Sequence, residues 1–376
     1  MKCIVIKAID AFVVPVSAKT KWILIEIRTD DGVPGYGEAT FAGAEEAVLA
    51  EIAHARALVV GKSLGMPGET VAALHMAHMP EVRRIVAAGL EQACLDNLAR
   101  RADVSLTEIL GGPARREVSV YANINRGIAD RSPAGFAARA RTVIEEDGYS
   151  AVKIAPFDGL DWARVDATAG ARLLRAGIDR IAAVREAIGR QTGLLVDCHS
   201  RLSPLMARTV LREVQDLELF WLEEPIHEQA FDASVAQSLR SYANDRGIRI
   251  AGGEQITGMI EARAFLARGG CDAILPDVRY TGVRSAMCIL ELAAACGVEC
   301  SLHNPVGPIL DLVSVQVAAA LPAFLILERQ VRESPLFDQI RGGPTPLVDG
   351  RLALPGGAGI GVNPRVEPYR SHASNA

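Results

Sequence analysis

The chain has 376 residues, 49% of them hydrophobic and 23% charged, with a formal net charge of −5, the profile of a folded globular protein rather than a disordered one. No Lys/Arg run exceeds two residues and no apolar run nears the ~20 residues of a membrane span, which argues against a nucleic-acid binder and an integral membrane protein. The length exceeds one ordinary domain and suits a barrel of ~250 residues with a smaller companion.

In chain order, the opening MKCIVIKAID is broken by Lys and Asp, unlike a secretory leader, and residues 2–16 read as a strand. KWILIEIRT (21–29) and GYGEAT (35–40) read as two more, with Asp30-Asp31-Gly32 as turn chemistry between them, so an antiparallel meander is expected. From Gly43 to about Arg101 the pattern turns helical, as in Ala87, Leu90, Cys94 and Leu98, until Gly111-Gly112-Pro113 stops it. After Pro113 come eight β-rich segments, most followed by a helical stretch: VSVYANI, AVKIAPF, LLVDCHS, LFWLEEP, IRIAGGE, AILPDVR, ECSLHNP and LILERQ. From the third onward they start about 25–29 residues apart, one strand plus one helix each, which predicts a closed (β/α)8 barrel whose eighth helix is short or displaced. The Gly/Pro-rich tail from about 331 is expected to pack back on the N-terminal region. The seven cysteines (3, 94, 198, 271, 288, 296, 300) are irregularly spaced without a CxxC, as in a cytoplasmic protein with reduced thiols.

Each barrel segment carries a polar residue, mostly toward its C-terminal end: Asn123, Lys153, Asp197 with His199, Glu223 with Glu224, Glu254, Asp277, His303 and Glu328. One alone would be a solvated strand end; eight in succession converge on one cavity at the face where such barrels keep their active sites. Asp197, Glu223 and Glu254 would form a carboxylate cluster, which raises its own pKa values unless a cation is bound. An all-oxygen set suits Mg²⁺, with Mn²⁺ second, over Zn²⁺; the competing reading pairs an acid with Lys153 or an arginine. Glu223 and Glu224 are adjacent, so only one enters the mouth. Asp197 and His199 share a strand face, which makes His199 a weak ligand, a proton donor to substrate, or a satisfied strand-end histidine. Asp277 and His303 end neighbouring strands, as a base held in one tautomer by a carboxylate or as a structural pair. Lys153 either meets a substrate carboxylate across the mouth or snorkels to solvent. His54, His75, His78, His227 and His372 suit surface or capping roles, and no phosphate-binding fingerprint is present.

These motifs resemble the enolase superfamily in its mandelate racemase-like subgroup: GYGEA, EQACLDNLARRADVSLTEILGGP, VDCHSRL, WLEEP, GGEQI, LPDVRYTGV, SLHNPVGP and ILERQ, over nearly the whole length. The resemblance implies a (β/α)7β-type TIM barrel at 116–330 and an α+β capping domain at 1–115, completed by about 331–376. It implies Mg²⁺ on Asp197, Glu223 (the first of the pair) and Glu254, and a Lys or His base that forms an enediolate. The racemases carry Lys-x-Lys on strand two; here it reads Lys153-Ile154-Ala155, so one of two opposed bases is missing. Asp-x-His on strand three with His-Asn-Pro on strand seven is similar to the acid-sugar dehydratases of the galactonate and mannonate type. By that likeness His303, oriented by Asp277, takes the α-proton, and His199 protonates the leaving 3-hydroxyl. Glu328, if protonated, donates to the enediolate oxygen, and Lys153 helps hold the carboxylate. The expected activity is Mg-dependent dehydration of an aldonate or related acid sugar to a 2-keto-3-deoxy acid. A one-base epimerase or cycloisomerase, and more distantly a non-catalytic binding protein, stand as alternatives. Specificity is expected from loops 15–21 and 41–48 and from Asn123, Asp158 and Arg201. The likeness also favours a cytoplasmic homo-oligomer with a small-molecule substrate and neither nucleic-acid nor membrane partners.

Overall fold

The computed structural model describes residues 4–18, 20–64 and 79–371; Cys3, Lys19, His75, His78 and His372 lie outside them. Strands β1 (Ile6–Pro15), β2 (Lys21–Thr29) and β3 (Pro34–Glu38) form the expected antiparallel meander. Within the stretch 43–101 expected to be helical, of which 65–78 lie outside the described residues, stand α1 (Glu45–Val59) and α2 (Glu81–Ala102), followed by the short α3 (Leu106–Ile109), which a Ser105/Glu108 capping box starts. The motif GYGE reflects close packing of β3 on α2. A methyl group at Gly35 would collide with the Ala93 carbonyl, and one at Gly37 with the Gly89 carbonyl.

Eight parallel strands follow: β4 (Glu117–Asn123), β5 (Ala151–Ile154), β6 (Gly193–Asp197), β7 (Leu219–Glu223), β8 (Arg249–Gly252), β9 (Ala273–Ile274), β10 (Glu299–Leu302) and β11 (Ile326–Gln330). Pairing of β11 with β4 closes the ring. The intervening helices are α4 (Pro133–Glu145), α5 (Ala167–Ile188), α6 (Pro204–Glu213), α7 (Ala233–Asn244), α8 (Met259–Arg268), α9 (Val278–Ala295) and α10 (Pro308–Ala320). Side chains of Ser132, Asp166, Ser203 and Asp277 cap four of them, which fixes where each βα loop ends. Tyr121, Ala151, Leu195, Trp221, Ala251, Ala273, Leu275 and Ile326 plug the barrel centre, so the polar residues one layer further along the strands face its C-terminal mouth.

The eighth helix is short, as expected: α11 spans Leu336–Arg341. The tail packs back on the N-terminal region, as expected, but joins the barrel first. Strand β12 (Leu347–Val348) pairs with β13 (Arg351–Ala353), and β13 lies antiparallel to β4. The chain then meets α2, where Asp96 accepts the Ile360 N–H at 2.7 Å, and Arg370 bridges to Phe12 in β1. Among the described residues no helix is long and apolar enough to cross a membrane.

Candidate active site

The strand ends bring most of the predicted residues into one buried polar network. Lys153, fully buried on β5, sets its Nζ 2.7 Å from Glu223 Oε1, 2.9 Å from Glu328 Oε1 and 3.9 Å from Asp197 Oδ2. It therefore neither snorkels nor stands free for a substrate carboxylate, which corrects both readings of this residue. Burial disfavours its charge, but Glu223 and Glu328 more than offset that and hold it protonated well above its ordinary range. Glu223 also accepts from Trp221 Nε1 at 3.0 Å; burial, together with Asp197, Glu328 and Glu254, pushes its carboxyl well up against the pull of Lys153.

Across the ring, His303 follows β10. Burial lowers its basicity, yet Glu254 (Oε2 3.0 Å from Nε2), Glu328 (3.9 Å) and Asp277 (Oδ2 2.9 Å from Nδ1) raise its pKa to about 10. Asp277 is fully buried and ionised despite that burial, held by the Arg279 guanidinium at 2.9 Å and by His303. The predicted His–Asp pair is thus present, and Arg279 of the LPDVRYTGV motif is a third member that the sequence reading missed.

His199 lies two residues past the end of β6, in a left-handed turn with φ +48°. Its N–H donates to Asp197 Oδ1 at 2.8 Å, its Nε2 lies 3.1 Å from Asp197 Oδ2, and its side chain is 42% exposed. The turn, not strand alternation, puts the ring beside Asp197. Glu224, also left-handed (φ +39°), accepts from Ser200 Oγ and the Gly253 N–H; burial, with Glu254 and Asp197 nearby, raises its pKa to about 7. His199, Glu224 and Glu254 line a cavity of about 600 Å³ that also reaches Glu228 and Phe265.

Four expectations are altered. Glu328 is not a protonated donor: although burial opposes ionisation, Lys153 and His303 draw its pKa down to about 2. Asn123 is engaged within the protein, donating to Glu328 Oε1 at 2.7 Å while its own Oδ1 accepts from Asn125. Asp158 is held bidentate by Arg131, both bonds at 2.7 Å. Arg201 donates to the Phe157 carbonyl at 2.9 Å and so braces a βα loop. Asn125 and Asn304 were missed. Asn125 Oδ1 accepts the Ala155 N–H at 2.5 Å, and the Asn304 N–H donates to Glu328 Oε2 at 2.9 Å. Just past the expected specificity loop 15–21, Trp22 of β2 packs edge-on against Phe337 and lies beside Gly307.

The donor set suits a hard divalent cation. Asp197, Glu223 and Glu254 offer only oxygens, and the lone ammonium of Lys153 leaves Glu223 under-compensated. In the arrangement described Glu254 is turned to His303, and among the described residues no three acidic, His or Cys side chains stand as a closed metal group.

A capped parallel barrel whose C-terminal mouth gathers three acids, a buried lysine and a His–Asp pair has the layout of a barrel enzyme's active site. The comparisons narrow this. Residues 11–111 match the mandelate racemase / muconate lactonizing enzyme N-terminal domain and residues 135–368 the enolase C-terminal domain-like family. The chain belongs to the mandelate racemase / muconate lactonizing enzyme family of the enolase superfamily. It is 30% identical to the D-gluconate dehydratase of Thermoproteus tenax, over 94% of this chain and 70% of that protein. It is 27% identical to the D-xylonate dehydratase of Haloferax volcanii, over 93% and 85%. A solved structure from Zymomonas mobilis ZM4 shares the fold, with a TM-score of 0.86 at 20% identity over 98% of each chain.

Proposed function

We propose that the protein is a hydro-lyase that removes water from an aldonate or related acid sugar to give a 2-keto-3-deoxy acid. The observation that carries this reading is the placement of two histidines on opposite sides of the acidic cluster. His199 follows the third strand of the ring and His303 the seventh, four positions apart in a ring of eight; one touches Asp197 and the other Glu254. An elimination needs such a pair, a base for the α-proton and an acid for the leaving hydroxyl. The curated relatives, dehydratases of gluconate, xylonate and galactonate, support the same chemistry.

His303 takes the α-proton at Nε2 once Glu254 has turned away and Nε2 has released to solvent the proton that this carboxylate favours there, while Asp277, held by Arg279, keeps Nδ1 as the protonated nitrogen. His199, exposed at the mouth, delivers a proton to the 3-hydroxyl as the carbon–oxygen bond breaks. Ala155, where racemases carry a second lysine, leaves the opposite face without a base. Glu328, ionised and clasped by Lys153, Asn123 and the Asn304 N–H, fixes the wall beside His303. Asp197, Glu223 and Glu254 are the residues that would hold Mg²⁺, with Mn²⁺ as substitute. When bound, that ion supplies Lewis-acid stabilisation for the charge that develops on the substrate's carboxylate oxygens.

The test is a panel of acid sugars incubated with Mg²⁺ and, separately, with EDTA, assayed for 2-keto product and for α-deuterium uptake from D₂O. Keto product from at least one aldonate, lost with EDTA, is expected. Epimerised substrate without keto product from any of them would replace this reading with the one-base epimerase.

A further inference from the structure

Two glutamates of the cap cross to the barrel and end on backbone N–H groups. Glu38, the last residue of β3, is fully buried. Its Oε1 accepts the Gly307 N–H at 2.8 Å, and its Oε2 accepts those of Ile309 and Leu310 at 3.2 and 3.1 Å, the start of α10. Thr40 Oγ1 adds a bond at 2.6 Å, and among the described residues no Lys or Arg forms an ion pair with it. Glu91, buried in α2, accepts the Val283 N–H at 2.8 Å. There Gly282 (φ +73°, ψ 172°) interrupts α9, so Val283 opens a fresh helical stretch with free N–H groups. The barrel side is shaped for both contacts. A methyl group at Gly307 would stand 2.6 Å from Glu38 Oε1, and one at Gly282 would strike Glu91.

These two anchorages flank the His–Asp pair. Gly307 lies four residues after His303, and Val283 six after Asp277. Each cap carboxylate therefore holds the helix that directly follows one member of the pair. We propose that Glu38 and Glu91 are positioning residues through which the docked cap sets the hydrogen bond between Asp277 and His303. This rests on the reading of His303 as the base. Burial raises the pKa of both carboxyls, and the backbone N–H groups that each accepts pull the other way. A purely structural role would show in Glu38→Gln and Glu91→Gln as lost stability alone, because an amide nitrogen cannot accept the N–H groups that a carboxyl oxygen accepts, with unchanged chemistry in the protein that still folds. A positioning role predicts lost chemistry in a folded protein, because a shift of about 1 Å at a reacting group can cost about 10²-fold in rate.

The experiment uses the full chain labelled with ¹⁵N-histidine, with the His303 imidazole assigned by its loss in His303→Asn. In Glu38→Gln and Glu91→Gln the His303 Nδ1–H should exchange with solvent at least about ten-fold faster than in wild type. On whichever acid sugar wild type turns over, kcat should fall at least about ten-fold with KM within about three-fold. Glu38→Asp and Glu91→Asp, which keep a carboxyl group with two acceptor oxygens, should recover part of both; they also stand in where a glutamine variant does not fold. Wild-type Nδ1–H exchange in folded variants overturns the proposal. If wild type turns over no acid sugar, the proposed function fails while the imidazole measurement still decides this one.

Discussion

The Lys153 ammonium lies 2.7 Å from Glu223 Oε1, inside the barrel and out of reach of solvent. A buried cation thus stands beside the acids, the pairing with Lys153 that the sequence offered as the competing reading to a metal ion. Breaking such a pair leaves an uncompensated buried charge and costs about 3–5 kcal/mol. Lys153→Met should therefore destabilise the metal-free protein by that order, as read by urea denaturation. Mg²⁺ should restore much of the loss if the three acids bind it. An equal loss with and without Mg²⁺ would separate Lys153 from the metal site.

Removing one anionic oxygen ligand should weaken Mg²⁺ directly. Asp197→Asn, Glu223→Gln and Glu254→Gln are each expected to lower Mg²⁺ affinity at least about ten-fold in calorimetry and to lower turnover by about 10²-fold or more. Glu224→Gln should be milder, since its carboxylate is committed to Ser200 and Gly253. Loss of metal binding in Glu224→Gln alone would reverse the assignment within the Glu-Glu pair.

The two histidines should fail at different steps. His303→Asn is expected to lose both dehydration and α-proton exchange by about 10²–10⁴-fold. His199→Asn should lose dehydration while some exchange remains, because hydroxide needs a proton to leave and the α-proton does not need His199. Exchange monitored by NMR in D₂O should proceed with retention, since Ala155 offers no second base. Inverted substrate would contradict that.

Glu228 gives a pH dependence with a definite sign. Its carboxyl lines the cavity beside Glu224, and burial raises its pKa to about 7, only partly opposed by Arg268 at 3.6 Å. A raised folded-state pKa gives a contribution that is complete below the unfolded value of about 4.3 and is lost as pH rises through about 7. Relative to Glu228→Gln, wild type should thus lose stability, of the order of 3 kcal/mol, between pH 4 and 8. Denaturant midpoints of the two proteins at pH 5 and pH 8.5 measure it. Parallel profiles would show that Glu228 does not titrate in this range.

Eight strands were legible because β-rich segments alternate with helical stretches, from the third onward about 25–29 residues apart, and the polar residues toward their ends pointed to one mouth. The strand lengths were not: AILPDVR reads as a strand, but β9 is two residues, since Pro276 cannot donate to the ladder and Asp277 caps α9. Asp277–His303 could be paired from neighbouring strand ends, whereas the Lys153–Glu328 contact depends on side-chain depth, which strand order alone leaves open. Asn123, Asp158 and Arg201 looked available because their partners Asn125, Arg131 and the Phe157 carbonyl compete from loops with no periodic signal. Glu38 stood in a quoted motif without a role, since its partner Gly307 lies 269 positions away.

The tail that links β13 to β4 and Arg370 to Phe12 also bears on how the chain is made. Contacts between opposite ends of a sequence are slow to form, because the loop must close before they give any return. During synthesis β1 and the first half of β4 emerge long before their last partners, with polar edges open to pairing with other chains. A nascent chain halted before residue 351 should therefore be prone to aggregation and dependent on chaperones even though every strand of the barrel has already been translated.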